Sequence, residues 1–187
     1  MTPIILPYRG VLPTIDPAAF IAPGAVVIGD AVIGPDTGIW FGCVVRGDVH
    51  EIRIGAGTNI QDGTIIHVSK GTFGTYIGDG VTVGHKAIIH ACTLEDRCFI
   101  GMGATIMDGC VVESGAMVAA GALVTPGKRV KAGELWAGSP AKPKRDLTED
   151  DTKTWPEQAA RYADLAREYR EALASGPTPS GQQETTA

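Results

Sequence analysis

Branched aliphatic residues recur every six positions along most of the chain, at Ile21, Val27, Ile33, Ile39 and Val45, then at Ile54, Ile60 and Ile66. The series resumes at Ile77, Val83 and Ile89, and again at Leu94, Ile100, Ile106, Val112, Val118, Val124 and Val130. Between anchors come Gly or another small or polar residue, two turn residues and a small residue, as in Ile28-Gly29-Asp30-Ala31 and Val83-Gly84-His85-Lys86-Ala87. Such a period fits neither a helix, which repeats at about 3.6 residues, nor a long strand, which repeats at about two. It predicts an all-β fold, a parallel β-helix in which each hexapeptide makes one short strand and one corner, and three make a triangular coil. Coils then stack at the interstrand spacing of about 4.8 Å, with the anchors in columns inside.

The interruptions carry information. Three extra residues separate Val45 from Ile54, five separate Ile66 from Ile77, and Leu94 follows Ile89 one residue early. The insertions belong at corners, because one inside a strand would turn its inward residues outward. Past Val130 the repeat ends, and residues 131–140 read as a turn-rich exit. Residues 154–173 then predict a helix, with Pro156 in its first turn and an apolar stripe of Trp155, Ala159, Tyr162, Ala166, Tyr169 and Leu173. The expected organisation is a β-helix with an N-terminal lead-in over residues 1–140, and an exit segment with a helix packed alongside over 141–175. A low-complexity tail over 176–187 is expected to be disordered.

Composition narrows the function classes. Aromatic residues make up 6% of the chain and glycines number 25, which suits a narrow interior filled by small aliphatics. A net charge of −5, a pI near 5.3 and no basic run argue against nucleic acid or an anionic membrane as partner. No apolar run approaches the ~18 residues of a membrane span. The N-terminus lacks the basic and then apolar regions of a secretory signal, so a cytoplasmic location is expected. Cys43, Cys92, Cys98 and Cys110 form no CxxC pair. The first, third and fourth take the small inward repeat position, which predicts buried structural thiols rather than disulfides or a thiolate metal site.

Threading the repeat onto a prism places the polar residues. With Val45 on a face designated A, Ile54 falls on B, Ile60 on C, Ile66 on A, Ile77 on B, Val83 on C and Ile89 on A. Arg46, His67 and His90 each follow a face-A anchor directly and so form an outward column, with Asp48 beside it. Asp62 and His85 each stand two residues past a face-C anchor and stack at another corner, beside Gln61. One face separates the two groups, on the order of ten ångströms at about 3.3 Å per strand residue. A single chain cannot bring all three histidines to one metal, whereas a threefold assembly that sets one edge against a neighbour's other edge can. A homotrimer with interfacial sites is therefore expected. His50 matches no column and reads as surface.

Three neutral imidazoles without a thiolate suit Zn2+ with one coordination position open, and Fe2+ or Co2+ would accept the same ligands. Gln61 would orient a hydroxide or a substrate oxygen, and Asp62 would hold a histidine's second ring nitrogen. Arg46 and Asp48 would pair with each other or across the interface. The motifs Arg46-Gly47-Asp48 and Asn59-Ile60-Gln61-Asp62, and the spacing of His67, His85 and His90, resemble the gamma-class carbonic anhydrases over roughly residues 10–170. That resemblance implies a left-handed β-helix, a homotrimer, zinc or iron, and reversible hydration of CO2 to bicarbonate through metal-bound hydroxide. It also implies that His67 and His90 come from one subunit and His85 from the next, with Asn59 and Gln61 near the hydroxide. Tyr162 is either a further site residue by the same resemblance or a packing aromatic of the helix. One departure stands out: the best-characterised branch carries a glutamate proton shuttle in an acidic loop, and residues 68–76 here contain no Asp or Glu. Two other functions compete, a CoA-dependent hexapeptide acyltransferase with one histidine as base, and a binding or assembly protein whose metal only holds the trimer.

Overall fold

The computed structural model describes residues 2–175, so the tail expected from residue 176 lies outside them. The three columns form as the period dictates. Face A stacks Val27, Val45, Ile66, Ile89, Ile106 and Val124 in parallel register, and all six are fully buried. Face B stacks Ile33, Ile54, Ile77, Leu94, Val112 and Val130. Face C stacks Ile21, Ile39, Ile60, Val83, Ile100 and Val118. The core takes the branched anchor of each hexapeptide together with small inward residues such as Ala25, Cys43 and Ala104, which fill it without aromatic bulk.

Both insertions sit at the corner between faces A and B. Strands Val26–Ile33 and Val44–Ile54 run on through that corner, which joins the two faces into one sheet. Their register jumps from Gly29 opposite Gly47 to Ala31 opposite Ile52, so residues 48–51 bulge outward opposite Asp30. One coil further on, residues 68–74 form a loop closed by an antiparallel bridge between Ser69 and Phe73.

The exit segment holds more structure than its turn-rich sequence predicts. Strand Glu134–Gly138 continues face C in parallel with Met117–Val118, placing Trp136 over Val118, and then turns antiparallel onto Ala141–Asp146. Trp136 is thus one more anchor of the column, 8% exposed at the end of the stack. The period is hidden here because an indole stands where a branched aliphatic is expected.

A short helix α1 (Glu149–Thr152) precedes helix α2 (Trp155–Ser175), which lies along face C. Its stripe descends the coils in order. Trp155 stacks on Phe99 with ring centroids 5.3 Å apart, Tyr162 meets the edge of Trp40 at 5.7 Å, and Tyr169 meets Phe41 at 5.4 Å. Tyr169 also meets Phe20 at 6.1 Å, so fourteen residues of helix, about 21 Å, match the four coil spacings of about 4.8 Å from Phe99 to Phe20. Leu173, the last expected stripe residue, is 50% exposed. No helix among the described residues is long and apolar enough to cross a membrane.

All four cysteines are buried and free. The Cys43 and Cys110 thiols reach the main-chain oxygens of Gln61 and Thr125, each at 3.1 Å. Burial pushes the Cys43 thiol up to about 11 and raises Cys92 and Cys98 further.

Candidate metal centre

At the edge between faces A and B, His67 and His90 are Cα partners on adjacent coils. His67 Nδ1 lies 3.2 Å from His90 Nε2. Each ring is backed by a carboxylate on its other nitrogen: His67 Nε2 lies 3.0 Å from Asp48 Oδ1, and His90 Nδ1 lies 2.9 Å from Asp108 Oδ2. Arg46 pairs with the second oxygen of Asp48. Burial works against ionisation of Asp48, but hydrogen bonds from His67 and Arg46 and the Arg46 charge outweigh it, so its carboxyl stays below the usual carboxylate range. Asp108 is also held low, first by the Ser69 hydroxyl and then, against burial, by His90.

These contacts fix the tautomers. An ionised carboxylate only accepts, so His67 donates from Nε2 and His90 from Nδ1. With both rings neutral, the remaining nitrogens, His67 Nδ1 and His90 Nε2, present lone pairs to each other, and two acceptors at that separation are held together by a shared proton or a metal ion between them. Two nitrogens on one tetrahedral zinc at about 2.0–2.1 Å would stand about 3.3–3.4 Å apart, close to the observed gap. The donor set therefore fits a metal, and backing of a ligating imidazole by a carboxylate is the usual outer arrangement of such sites.

The other half-site stands at the far end of face A, at the corner following face C. His85 Nδ1 lies 2.9 Å from Asp62 Oδ2, and both side chains are about two-fifths exposed, at 41% and 44%. Gln61 is buried beside them. One chain thus brings Arg46, Asp48, His67 and His90 together, and Asp62, Gln61 and His85 together, with face A between the groups. Among the described residues, no three His, Cys, Asp or Glu side chains of one chain are grouped to hold a metal ion.

Asn59, on face C, and Tyr162, on α2, occupy a third place, between the sheet and the helix. Asn59 is 3% exposed, and its Oδ1 accepts from Trp40 Nε1 at 2.7 Å. Trp40 is also the ring that Tyr162 packs against. Gly38 makes room for it, since a Cβ there would stand 3.0 Å from the indole nitrogen. His50 is half-buried in the bulge, its Nδ1 accepting from the Glu51 backbone N–H at 2.8 Å. Sequence reasoning missed Asp108. It stands two residues past the face-A anchor Ile106, on the coil above His90, where threading the next coil places a side chain at this edge.

The chain is 47% identical over 167 residues to the protein named carbonic anhydrase of Geobacillus kaustophilus, covering 89% of this chain and 91% of that one. The chain belongs to the gamma carbonic anhydrase family. A second relative, gamma carbonic anhydrase 2, mitochondrial, of Arabidopsis thaliana, is 52% identical over 160 residues, and this chain spans 58% of that plant protein's length. The model of the bacterial transferase hexapeptide (six repeats) family matches residues 91–126. Among solved structures, the hexapeptide transferase family protein from Anaplasma phagocytophilum superimposes with a TM-score of 0.85 at 50% identity, over 89% of this chain and 98% of that one.

Proposed function

We propose that this protein catalyses reversible hydration of carbon dioxide to bicarbonate at metal sites shared between the subunits of a homotrimer. The observation that carries the proposal is the pair of lone-pair nitrogens on His67 and His90, locked toward each other by Asp48 and Asp108. His67 and His90 of one subunit and His85 of its neighbour would hold Zn2+, with Fe2+ or Co2+ as alternatives. The ion, when bound, supplies a Lewis acid that makes water a nucleophile at neutral pH.

The chain's own residues do the rest. Asp48 and Asp108 hold the two rings in the ligating tautomer, and Asp62 does the same for His85. Gln61, buried at the neighbouring edge, is placed to orient a substrate oxygen. Arg46 neutralises Asp48 and, with its side chain 42% exposed, would offer a guanidinium N–H to bicarbonate. Asn59 from face C and Tyr162 from α2 meet at Trp40 and would keep face C rigid behind Gln61.

Face A supports the threefold assembly. Its outward column runs Ile4, Val26, Val44, Ile65, Ile88, Thr105, Leu123, almost wholly aliphatic. Ile4, Ile65 and Ile88 are 45%, 38% and 43% exposed in the single chain. The matching column of face B includes Arg53, Tyr76, Thr93 and Arg129, and that of face C lies under α2. Closing three chains about an axis along face A would bury this column and bring each His67–His90 edge to a neighbour's His85 edge. An acyltransferase with one histidine as base has no need of a second ring locked against the first.

Metal content and stopped-flow CO2 hydration of protein purified without a metal-chelating tag test the proposal. About three metals per trimer with turnover abolished in His85→Ala is the expected result. Bound metal without turnover would favour an assembly role, and protein that takes up no added zinc would end the proposal.

A further inference from the structure

Building on the metal-site reading above, we propose that Asp108, held by Ser69 of the inserted loop, is the positioning residue that presents His90 to its metal. The insertion after Ile66 and the deletion after Ile89 act as a matched pair that makes this contact possible.

Three successive coils meet at the corner between faces A and B. The first carries the extra loop, the second is one residue short, and the third carries Asp108 and Gly109. The short corner turns at Ala91 with φ of +50°, a left-handed conformation that leaves it flush with the strand. Its backbone N–H donates to the His67 carbonyl at 3.0 Å and to Thr75 Oγ1, also at 3.0 Å. The loop therefore crosses directly over the second coil and lands on the third.

Two side chains make the landing. Ser69 Oγ donates to Asp108 Oδ1 at 2.6 Å, across a sequence separation of 39 residues. The Phe73 ring lies on Gly109, where a Cβ would stand 3.3 Å from the ring edge. The loop is braced from within by Ser69 N–H donating to the Phe73 carbonyl at 3.0 Å. With Oδ1 engaged by serine, Asp108 has Oδ2 directed at His90 Nδ1 at 2.9 Å. Were the second coil of full length, its corner would stand between Ser69 and Asp108.

The relay runs from loop to serine, to carboxylate, to imidazole, and its end is the Nε2 lone pair that faces His67. A loop devoid of Asp and Glu thus serves ligand orientation in this chain, a task that needs a neutral donor rather than an acid.

The test uses the full chain, with zinc titrated into metal-free protein against a chromophoric chelator. Asp108→Asn is expected to weaken zinc binding about 10–100-fold, the usual range for an outer partner of a ligating histidine. Ser69→Ala should weaken it in the same direction by less, and the double variant should match Asp108→Asn alone, because serine acts through the carboxylate. Nitrogen-15 chemical shifts of His90 in the metal-free protein supply a second readout: Nδ1 protonated in the parent, a tautomer mixture in both variants. Unchanged zinc affinity in Asp108→Asn, additive losses in the double variant, or an unchanged His90 tautomer would overturn the relay. If Asp108→Asn fails to fold, Ser69→Ala alone decides through the tautomer. A parent protein that binds no zinc but shows the Asp108-dependent tautomer would sink the function reading and leave the relay standing.

Discussion

The indole of Trp40 is bonded to the side-chain amide of Asn59 at 2.7 Å, and both groups are buried between face C and α2. An indole nitrogen can only donate, so the amide oxygen must face it and the amide nitrogen must point away. That nitrogen has no hydrogen-bond partner among the described residues. Trp40→Phe would leave Asn59 Oδ1 as a second orphan in the same place. The expected cost is about 1–3 kcal/mol, read as a lower urea midpoint at constant slope. A midpoint equal to the parent's would show that the bond contributes nothing.

Shared sites make a complementation experiment decisive. His67→Ala and His85→Ala should each be inactive alone, because every interface then lacks a ligand. Co-assembled in equal amounts, the two variants regenerate an intact interface wherever the unaltered edges of each meet, about one interface in four for random cyclic trimers. The co-assembled population should therefore recover about a quarter of parental activity, which is about a third in each mixed trimer. No recovery, despite mixed trimers proven by mass spectrometry, would place all three ligands in one subunit.

Face A should govern assembly and face B should not. Ile88→Asp puts three carboxylates around one axis and is expected to shift the protein to monomer in sedimentation, with loss of metal. Val32→Asp, on a 37% exposed residue of face B, should leave the trimer intact. Monomer from both variants, or from neither, would disprove the arrangement.

The carboxylates at the paired histidines have a definite pH signature. Asp48 and Asp108 are held below their ordinary values in the fold, so the stability they contribute is present above the unfolded value of about 3.9 and is lost as pH falls through the folded value. The stability gap between the parent and Asp108→Asn should be flat from about pH 5 to 7 and close on acidification below about 4. Thermal unfolding of the metal-free proteins measures it, and a gap that widens below about pH 4 would contradict the hydrogen bonding of the Asp108 carboxylate by Ser69 and His90.

With its thiol held near 11 by burial, Cys43 has on the order of one thiolate per thousand molecules at pH 8. Cys92 and Cys98 are raised further. A disulfide reagent should leave these three unlabelled in native protein at that pH and titrate four thiols per chain after denaturation. Rapid native labelling at any of the three would mean that the coils open there.

The prism, its faces and the grouping of the site residues were legible because a strict period turns residue number into position. His67 over His90, and Asp62 beside His85, follow from counting alone. The hydrophobic stripe likewise located α2, but not the face on which it lies. What counting could not reach lies where the period fails. Trp136 continues a column under another side chain, and Ser69 meets Asp108 only because a loop of unpredictable path crosses a shortened corner. Trp40 and Asn59 are joined under a helix whose register on the sheet is decided by aromatic packing, on which the repeat is silent.

The in-register stacking has one more consequence. Apart from α2 and the inserted loop, which each reach past a neighbouring coil, every coil touches only the coil above and the coil below, so the prism behaves as a linear array. Val111 and Arg129 are Cα partners one turn apart, as are Val112 and Val130. Excising residues 111–128 would join Cys110 to Arg129 with every remaining column aligned. The histidine edges would keep their neighbours, the prism would be one storey shorter, and the linker into α2 would have one coil less to span for the helix to keep its aromatic contacts.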